Sequence, residues 1–276
     1  MAPKPTPAEI EALWRNYLTF GDDNPDRFEP LKVKYLHRLL RHLPSDPRCR
    51  LCYAPFKGAG GSLSRALLDR GPSKLNPQIC NVCEKFASQF PGGAEVELSL
   101  LFADIRGSTT LAEAMAPRDF SHLISRFYHA ATTPLFDAHA LVEKFVGDAV
   151  TGLFTPGLAG PDHAAAAVRA ARAILAATGH TDPGGPWVPV GVGLHTGLAY
   201  VGAVSAEGGV GEIAALGDAA NVAARLASLA GPGEILVSAE AAAHAKLPTE
   251  GLESRELQLK GRAEPVAAWV LPAVGP

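Results

Sequence analysis

The chain reads as an α+β protein carrying a smaller cysteine-bearing module in front of it. Apolar, strand-like runs alternate with amphipathic helical stretches, and one pair of runs reads as a hairpin. All four cysteines lie before Pro91-Gly-Gly93, where a ring-fixed residue meets two permissive ones and the chain is free to change direction. The charge balance changes at the same place. Up to Gly93 there are 14 Lys and Arg against 9 Asp and Glu, and beyond it 11 against 19. Residues 1–93 are therefore expected to form a helical and CxxC…CxxC metal-binding module, and residues 94–276 a second, larger domain.

In chain order, Ala8–Phe20 and Phe28–Leu43 carry helical stripes. Ile10, Leu13, Trp14, Tyr17 and Leu18 share one face, and Leu31, Tyr35, Leu39 and Leu40 recur similarly. Such a pair packs against its own domain or offers a surface to a regulatory partner or a second copy. The larger domain is expected to begin with a strand at Val96–Ile105 and a helix at Arg118–Asp137. A hairpin over Ala140–Phe154 turns at Gly147-Asp148, and a helix follows at Asp162–Ala177. Next come a strand at Val188–His195, a helix at Ala219–Leu229 and a strand at Glu234–Val237, with the helices covering one sheet face. The glycines at 58–61 and 208–211 lack the lysine and spacing of a phosphate-binding P-loop and read as flexible loops.

The composition points to a water-soluble enzyme. The net charge is −3, and the basic residues of the first segment are mixed with acids, so bulk nucleic-acid binding is not expected. Ala164–Ala177 carries Arg169 and Arg172, and Val188–Val204 is broken by Gly and His, so no membrane span is expected. The start, Met-Ala-Pro-Lys-Pro-Thr-Pro, lacks the apolar core of a secretory signal, and the expected location is cytoplasmic.

Cys49-x-x-Cys52 and Cys80-x-x-Cys83 supply four thiolates in the grouping of a tetrahedral Zn²⁺ site. Four cysteines also suit an iron–sulfur cluster, and two disulfides are the plainest use of four thiols. A reducing compartment argues against disulfides. Tyr53 and Glu84 stand where covalent haem attachment needs His.

Asp104 closes the apolar run Leu100-Leu-Phe-Ala-Asp104, and Asp148 closes Glu143-Lys-Phe-Val-Gly-Asp148. Each would hold a carboxylate at a strand end, and together they would form a hard, oxygen-rich site suited to Mg²⁺ or Mn²⁺. Taken singly, each is better explained as an ordinary turn Asp, the commoner fate of Asp beside Gly. Four blocks in order carry more weight: Phe102-Ala-Asp-Ile-Arg-Gly-Ser-Thr109, Lys144-Phe-Val-Gly-Asp148, Val190-Gly-Val-Gly-Leu-His-Thr-Gly197 and Leu216-Gly-Asp-Ala-Ala-Asn-Val-Ala-Ala-Arg225. With the tail Leu257-Gln-Leu-Lys-Gly-Arg262 leading to Trp269, the chain from about Glu95 to about Leu271 resembles the class III nucleotidyl cyclase catalytic domain.

The resemblance implies a ferredoxin-like βαββαβ core with additional elements. It also implies conversion of ATP to 3′,5′-cyclic AMP and pyrophosphate with two Mg²⁺ or Mn²⁺ ions per site. Asp104 and Asp148 match the metal-binding carboxylates, and the Ile105 carbonyl is a further metal ligand. The backbone N–H groups of Ile105, Arg106, Gly107, Ser108 and Thr109 match the phosphate cradle. Asn221 and Arg225, four apart on one helix face, match the residues that position the ribose and neutralise charge at the α-phosphate. Lys144 matches the lysine that reads adenine, and Lys260, with Arg262 beside it, matches a basic contact to the outer phosphates. The lysine's usual partner is Asp or Thr, and Ala214 stands there instead, which weakens base discrimination. The resemblance further implies a homodimer in which one protomer supplies the carboxylates and the other supplies Lys144, Asn221 and Arg225. The rival readings are a guanylate cyclase and a degenerate fold that binds nucleotide without turnover. His195 is expected to be a hydrogen-bonded core residue rather than a general base.

Overall fold

The computed structural model describes residues 5–19, 40, 43, 47–49, 51–73, 79–204, 212–258 and 264–273. The helices are α1 (Pro7–Thr19), α2 (Gly58–Leu68), α3 (Asn81–Gln89), α4 (Ser108–Ala114) and α5 (Pro117–Asp137), then α6 (Pro156–Ala159), α7 (His163–Ala177), α8 (Asp218–Leu229) and α9 (Ala239–His244). The strands are β1 (Gly92–Ile105), β2 (Leu141–Val146), β3 (Ala149–Phe154), β4 (Val190–Val204), β5 (Glu212–Leu216), β6 (Glu234–Ser238), β7 (Glu253–Leu257) and β8 (Val266–Pro272). They form one sheet in the order β2-β3-β1-β4-β6-β8-β7, with β5 paired to β4. Two compact units emerge. One comprises Met1–Val96, Pro156–Leu158 and Tyr200–Ala215; the other comprises Glu97–Thr155, Ala159–Ala199 and Leu216–Pro276.

In the larger unit, β3 is antiparallel to both β1 and β2, while β4 and β6 run parallel, joined by α8. The helices cover both faces of the sheet rather than one. Strand parity makes the division visible, because successive side chains point to opposite faces. Val192, Leu194, Ile235 and Val237 join the large core containing Phe127, Leu135 and Ile174 of α5 and α7. Leu236, between two of them, joins Val222 and Leu226 of α8 in a second core. Gly193 permits this second layer. A Cβ there would collide with the α8 backbone at Ala223 and Ala227, so only glycine lets helix and strand approach so closely.

The strand expected to end at His195 continues to Val204. The His195-Thr196 pair looks like a polar stop, but both side chains are buried and satisfied. His195 Nδ1 and Ser238 Oγ are 2.8 Å apart, and Thr196 Oγ1 lies 2.6 Å from Ser99 Oγ, which is also 2.9 Å from His163 Nδ1. His195 is thus a packed, hydrogen-bonded core histidine. Burial also holds the His163 pKa below its ordinary value, with His244 nearby adding to the effect.

In the smaller unit, α1 buries Trp14 and Leu18. The Trp14 Nε1–H donates to the Phe90 carbonyl at 3.0 Å, and its ring packs 5.1 Å from that of Phe86 in α3. Gly58–Gly61, expected to be a flexible loop, instead forms the first turn of α2. Close approach explains this despite the low helix propensity of glycine. A Cβ on Gly61 would lie 2.8 Å from the Phe56 carbonyl oxygen, so the helix can pack onto that segment only without one. Most of the expected helix Phe28–Leu43, and the glycines at 208–211, lie outside the described residues. Among the described residues, no helix is long and apolar enough to cross a membrane.

Candidate active site and four-cysteine centre

Asp104 is the penultimate residue of β1 and pairs across the ladder with Ala149, the residue after Asp148. The Ile105 N–H donates to the Asp148 carbonyl at 3.2 Å, which ties the strand end to the hairpin turn. The two carboxylates therefore stand together at one sheet end. Burial pushes the Asp104 carboxyl up to about 6; Arg106 opposes the shift and the Asp148 charge adds to it. Arg106 pairs with Asp104 Oδ2 and donates to the Ser228 carbonyl of α8 at 2.8 Å. Asp104 Oδ1 is buried without a hydrogen-bond partner among the described residues. A bare buried carboxylate oxygen is costly in water-free surroundings and is the natural seat of a cation. With Asp148 beside it, the donor set is hard and anionic, and it fits Mg²⁺ or Mn²⁺.

Two of the five backbone N–H groups expected to form a phosphate cradle are already bonded within the chain. The N–H of Ile105 is committed to Asp148 O, and that of Arg106 donates to Pro189 O at 2.8 Å. Neither can also bind a phosphate, because each peptide carries a single N–H. Gly107, Ser108 and Thr109 remain, at the start of α4.

Lys144 lies on β2 opposite Thr151, and the register shifts between Val142 and Lys144. Glu143 is the extra, bulged residue, and its buried carboxylate lies 3.1 Å from Lys144 Nζ. Asn221 and Arg225 stand one turn apart on α8. Neither side chain makes a hydrogen bond or ion pair among the described residues. Ala214 sits on β5, half-buried, and belongs to the smaller unit. Lys260 and Arg262 lie outside the described residues.

The four cysteines converge. All are free and buried, and their sulfur atoms lie within 4.8 Å of one another. The Cys80 N–H points at Cys49 Sγ at 3.2 Å, joining the two CxxC segments, and the Cys83 N–H points at Cys80 Sγ at 3.4 Å. Arg70, buried beside them, places Nη1 3.7 Å from Cys80 Sγ. Such a group can hold a metal ion.

The family described as the adenylate and guanylate cyclase catalytic domain matches residues 94–272. The chain belongs to that family. Among curated relatives of this cyclase domain, an adenylate cyclase of Mycobacterium tuberculosis is 35% identical over 180 residues, 63% of this chain and 39% of its own length. The chain spans about a third of the length of the curated relatives it matches. The crystal structure of the adenylyl cyclase CyaB from P. aeruginosa aligns with a TM-score of 0.55 and 26% identity, covering 65% of this chain and 95% of that one. The guanylyl cyclase Cya2 shares the fold, with a TM-score of 0.59 and 23% identity over 65% of this chain and 93% of its own.

Three contacts of the cyclase domain were not anticipated from sequence. Arg106 on Asp104 was legible in principle, since the two residues are only two apart in the chain, where the strand gives way to a turn. The Glu143 bulge and the Ser228 carbonyl were not, because each depends on a register or crossing that no local pattern encodes.

Proposed function

We propose that the chain is an adenylate cyclase that converts ATP to 3′,5′-cyclic AMP and pyrophosphate at sites built across a homodimer. The observation that carries this reading is the pair Asp104 and Asp148 at one sheet end, with Asp104 Oδ1 buried and without a hydrogen-bond partner among the described residues. The curated adenylate cyclases at 31–35% identity support it. In the reaction the ribose 3′-hydroxyl gives up its proton to solvent, its oxygen bonds to the α-phosphorus, the bond from that phosphorus to the bridging oxygen breaks, and pyrophosphate leaves. Mg²⁺ or Mn²⁺, two ions held by Asp104, Asp148 and the Ile105 carbonyl, would lower the hydroxyl pKa and neutralise the triphosphate.

The chain's own residues do the rest. Gly107, Ser108 and Thr109 turn backbone N–H groups toward phosphate oxygens. Asn221 orients the ribose, and the guanidinium of Arg225 meets charge building on the α-phosphate. Lys144 donates to the adenine edge, with Glu143 holding its ammonium in place. Ala214 offers the base no hydrogen bond, so selectivity rests more heavily on Lys144. Lys144, Asn221 and Arg225 come from the protomer opposite the carboxylates. The first 93 residues act as a separate regulatory module, and the protein works in the cytoplasm.

Purified protein incubated with Mn²⁺ and either ATP or GTP tests the proposal. Cyclic AMP as the main product is expected. Cyclic GMP as the main product would make it a guanylate cyclase, and nucleotide binding without product would make it a regulatory module.

A further inference from the structure

The four-thiol cluster and the guanidinium buried beside it are not among the residues assigned to nucleotide chemistry above. We propose that Cys49, Cys52, Cys80 and Cys83 hold one Zn²⁺ as a tetrathiolate, with Arg70 as the positioning residue that offsets its charge.

Size is the first argument. A Zn–S bond of about 2.3 Å in tetrahedral geometry sets sulfur–sulfur separations of about 3.8 Å. All four sulfurs here lie within 4.8 Å of one another, and Cys52 and Cys80 are 3.5 Å apart. One ion fits with small side-chain shifts. An iron–sulfur cluster places inorganic sulfide between several irons and spreads its cysteines wider. The scaffold resists such spreading. Arg48 and Pro55 bridge across the first CxxC segment, Pro72 and Cys80 bridge beside the second, and the Cys80 N–H ties the two together through Cys49 Sγ.

Charge is the second argument. One Zn²⁺ with four thiolates carries two net negative charges, and the cluster is buried, with the Tyr17 side chain close by. A buried dianion needs nearby positive charge and N–H donors. Arg70 is only 4% exposed and aims Nη1 at Cys80 Sγ. The N–H groups of Cys52, Cys80 and Cys83 also point at cysteine sulfurs. A guanidinium taken out of water beside sulfur is accounted for when that sulfur is anionic, and hydrogen bonds to metal-bound ligands of this kind tune affinity.

The test uses the full chain, purified without added metal. Elemental analysis is expected to find about one zinc per chain and no stoichiometric iron or acid-labile sulfide. Replacement by Co²⁺ is expected to give the intense visible bands of tetrahedral sulfur coordination. Arg70→Gln should release zinc to a chelator roughly 10–100-fold faster and raise the pH of half-release, with Arg70→Lys recovering part of both. Iron with labile sulfide, or folded metal-free protein with four titratable thiols, would overturn the zinc site. Wild-type release rate and pH in Arg70→Gln would overturn the role of Arg70. If that variant does not fold, metal content and the Co²⁺ spectrum of the unaltered chain still decide the site itself.

Discussion

Asp104, one residue from the end of its strand, has Arg106 on one carboxylate oxygen and no hydrogen-bond partner among the described residues on the other. Removing it or Asp148 takes away half of the anionic donors. Asp104→Ala and Asp148→Ala should each lower turnover by about three orders of magnitude or more while the fold persists, because metal stabilisation of charge is worth several kcal/mol. Near-normal turnover of either variant with Mg²⁺ and Mn²⁺ would contradict the assignment. The raised pKa adds a pH dependence. Asp104 holds its proton up to about 6, and a cation must displace that proton. Apparent Mn²⁺ affinity without nucleotide should therefore climb as pH rises through about 6 and then level off, measurable by titration calorimetry. The sign for stability is the reverse. The folded state binds this proton more tightly than the unfolded chain, so Asp104 contributes stability at low pH that is lost as pH rises from about 4 to about 6. Ala214 is the other informative position. Ala214→Thr restores a hydrogen-bonding group and should raise the ATP-to-GTP ratio of kcat/KM by roughly tenfold. An unchanged ratio would mean that the base is read elsewhere.

Elements were legible in the sequence where local pattern decides them. The β2–β3 hairpin turns at Gly147-Asp148 as the apolar runs on either side require, and α5 keeps Phe127, Ala131 and Leu135 on one buried face. Both carboxylates were legible for the same reason, since each closes such a run. Other features depend on residues distant in the chain. β4 runs past His195 because Ser238 and Ser99 meet its polar pair. α8 lies on the second sheet face because Leu236 and Val266 wait there. The glycine-rich start of α2 is helical because of what it packs against. Gly61→Ala tests that directly. Its new Cβ would meet the Phe56 backbone and should cost about 1–3 kcal/mol in urea unfolding, as overpacked sites do. Unchanged stability would mean that the contact is loose.

At the scale of the whole molecule, the protein combines a cyclase domain with a four-cysteine centre in a separate compact unit. The proposed site is complete only in a dimer, with carboxylates from one protomer and Lys144, Asn221 and Arg225 from the other. Asn221 and Arg225, without bonding partners among the described residues, suit that arrangement. Mixing Asp104→Ala with Arg225→Ala tests chemistry, residue roles and assembly at once. Each variant alone should be inactive. In an equal mixture that exchanges subunits freely, half of the dimers are mixed, and each of those holds one undamaged site. Cyclic AMP formation from Mn²⁺ and ATP should then recover to about a quarter of the unaltered level. A mixture that stays inactive after subunit exchange has been demonstrated would contradict a site shared between protomers.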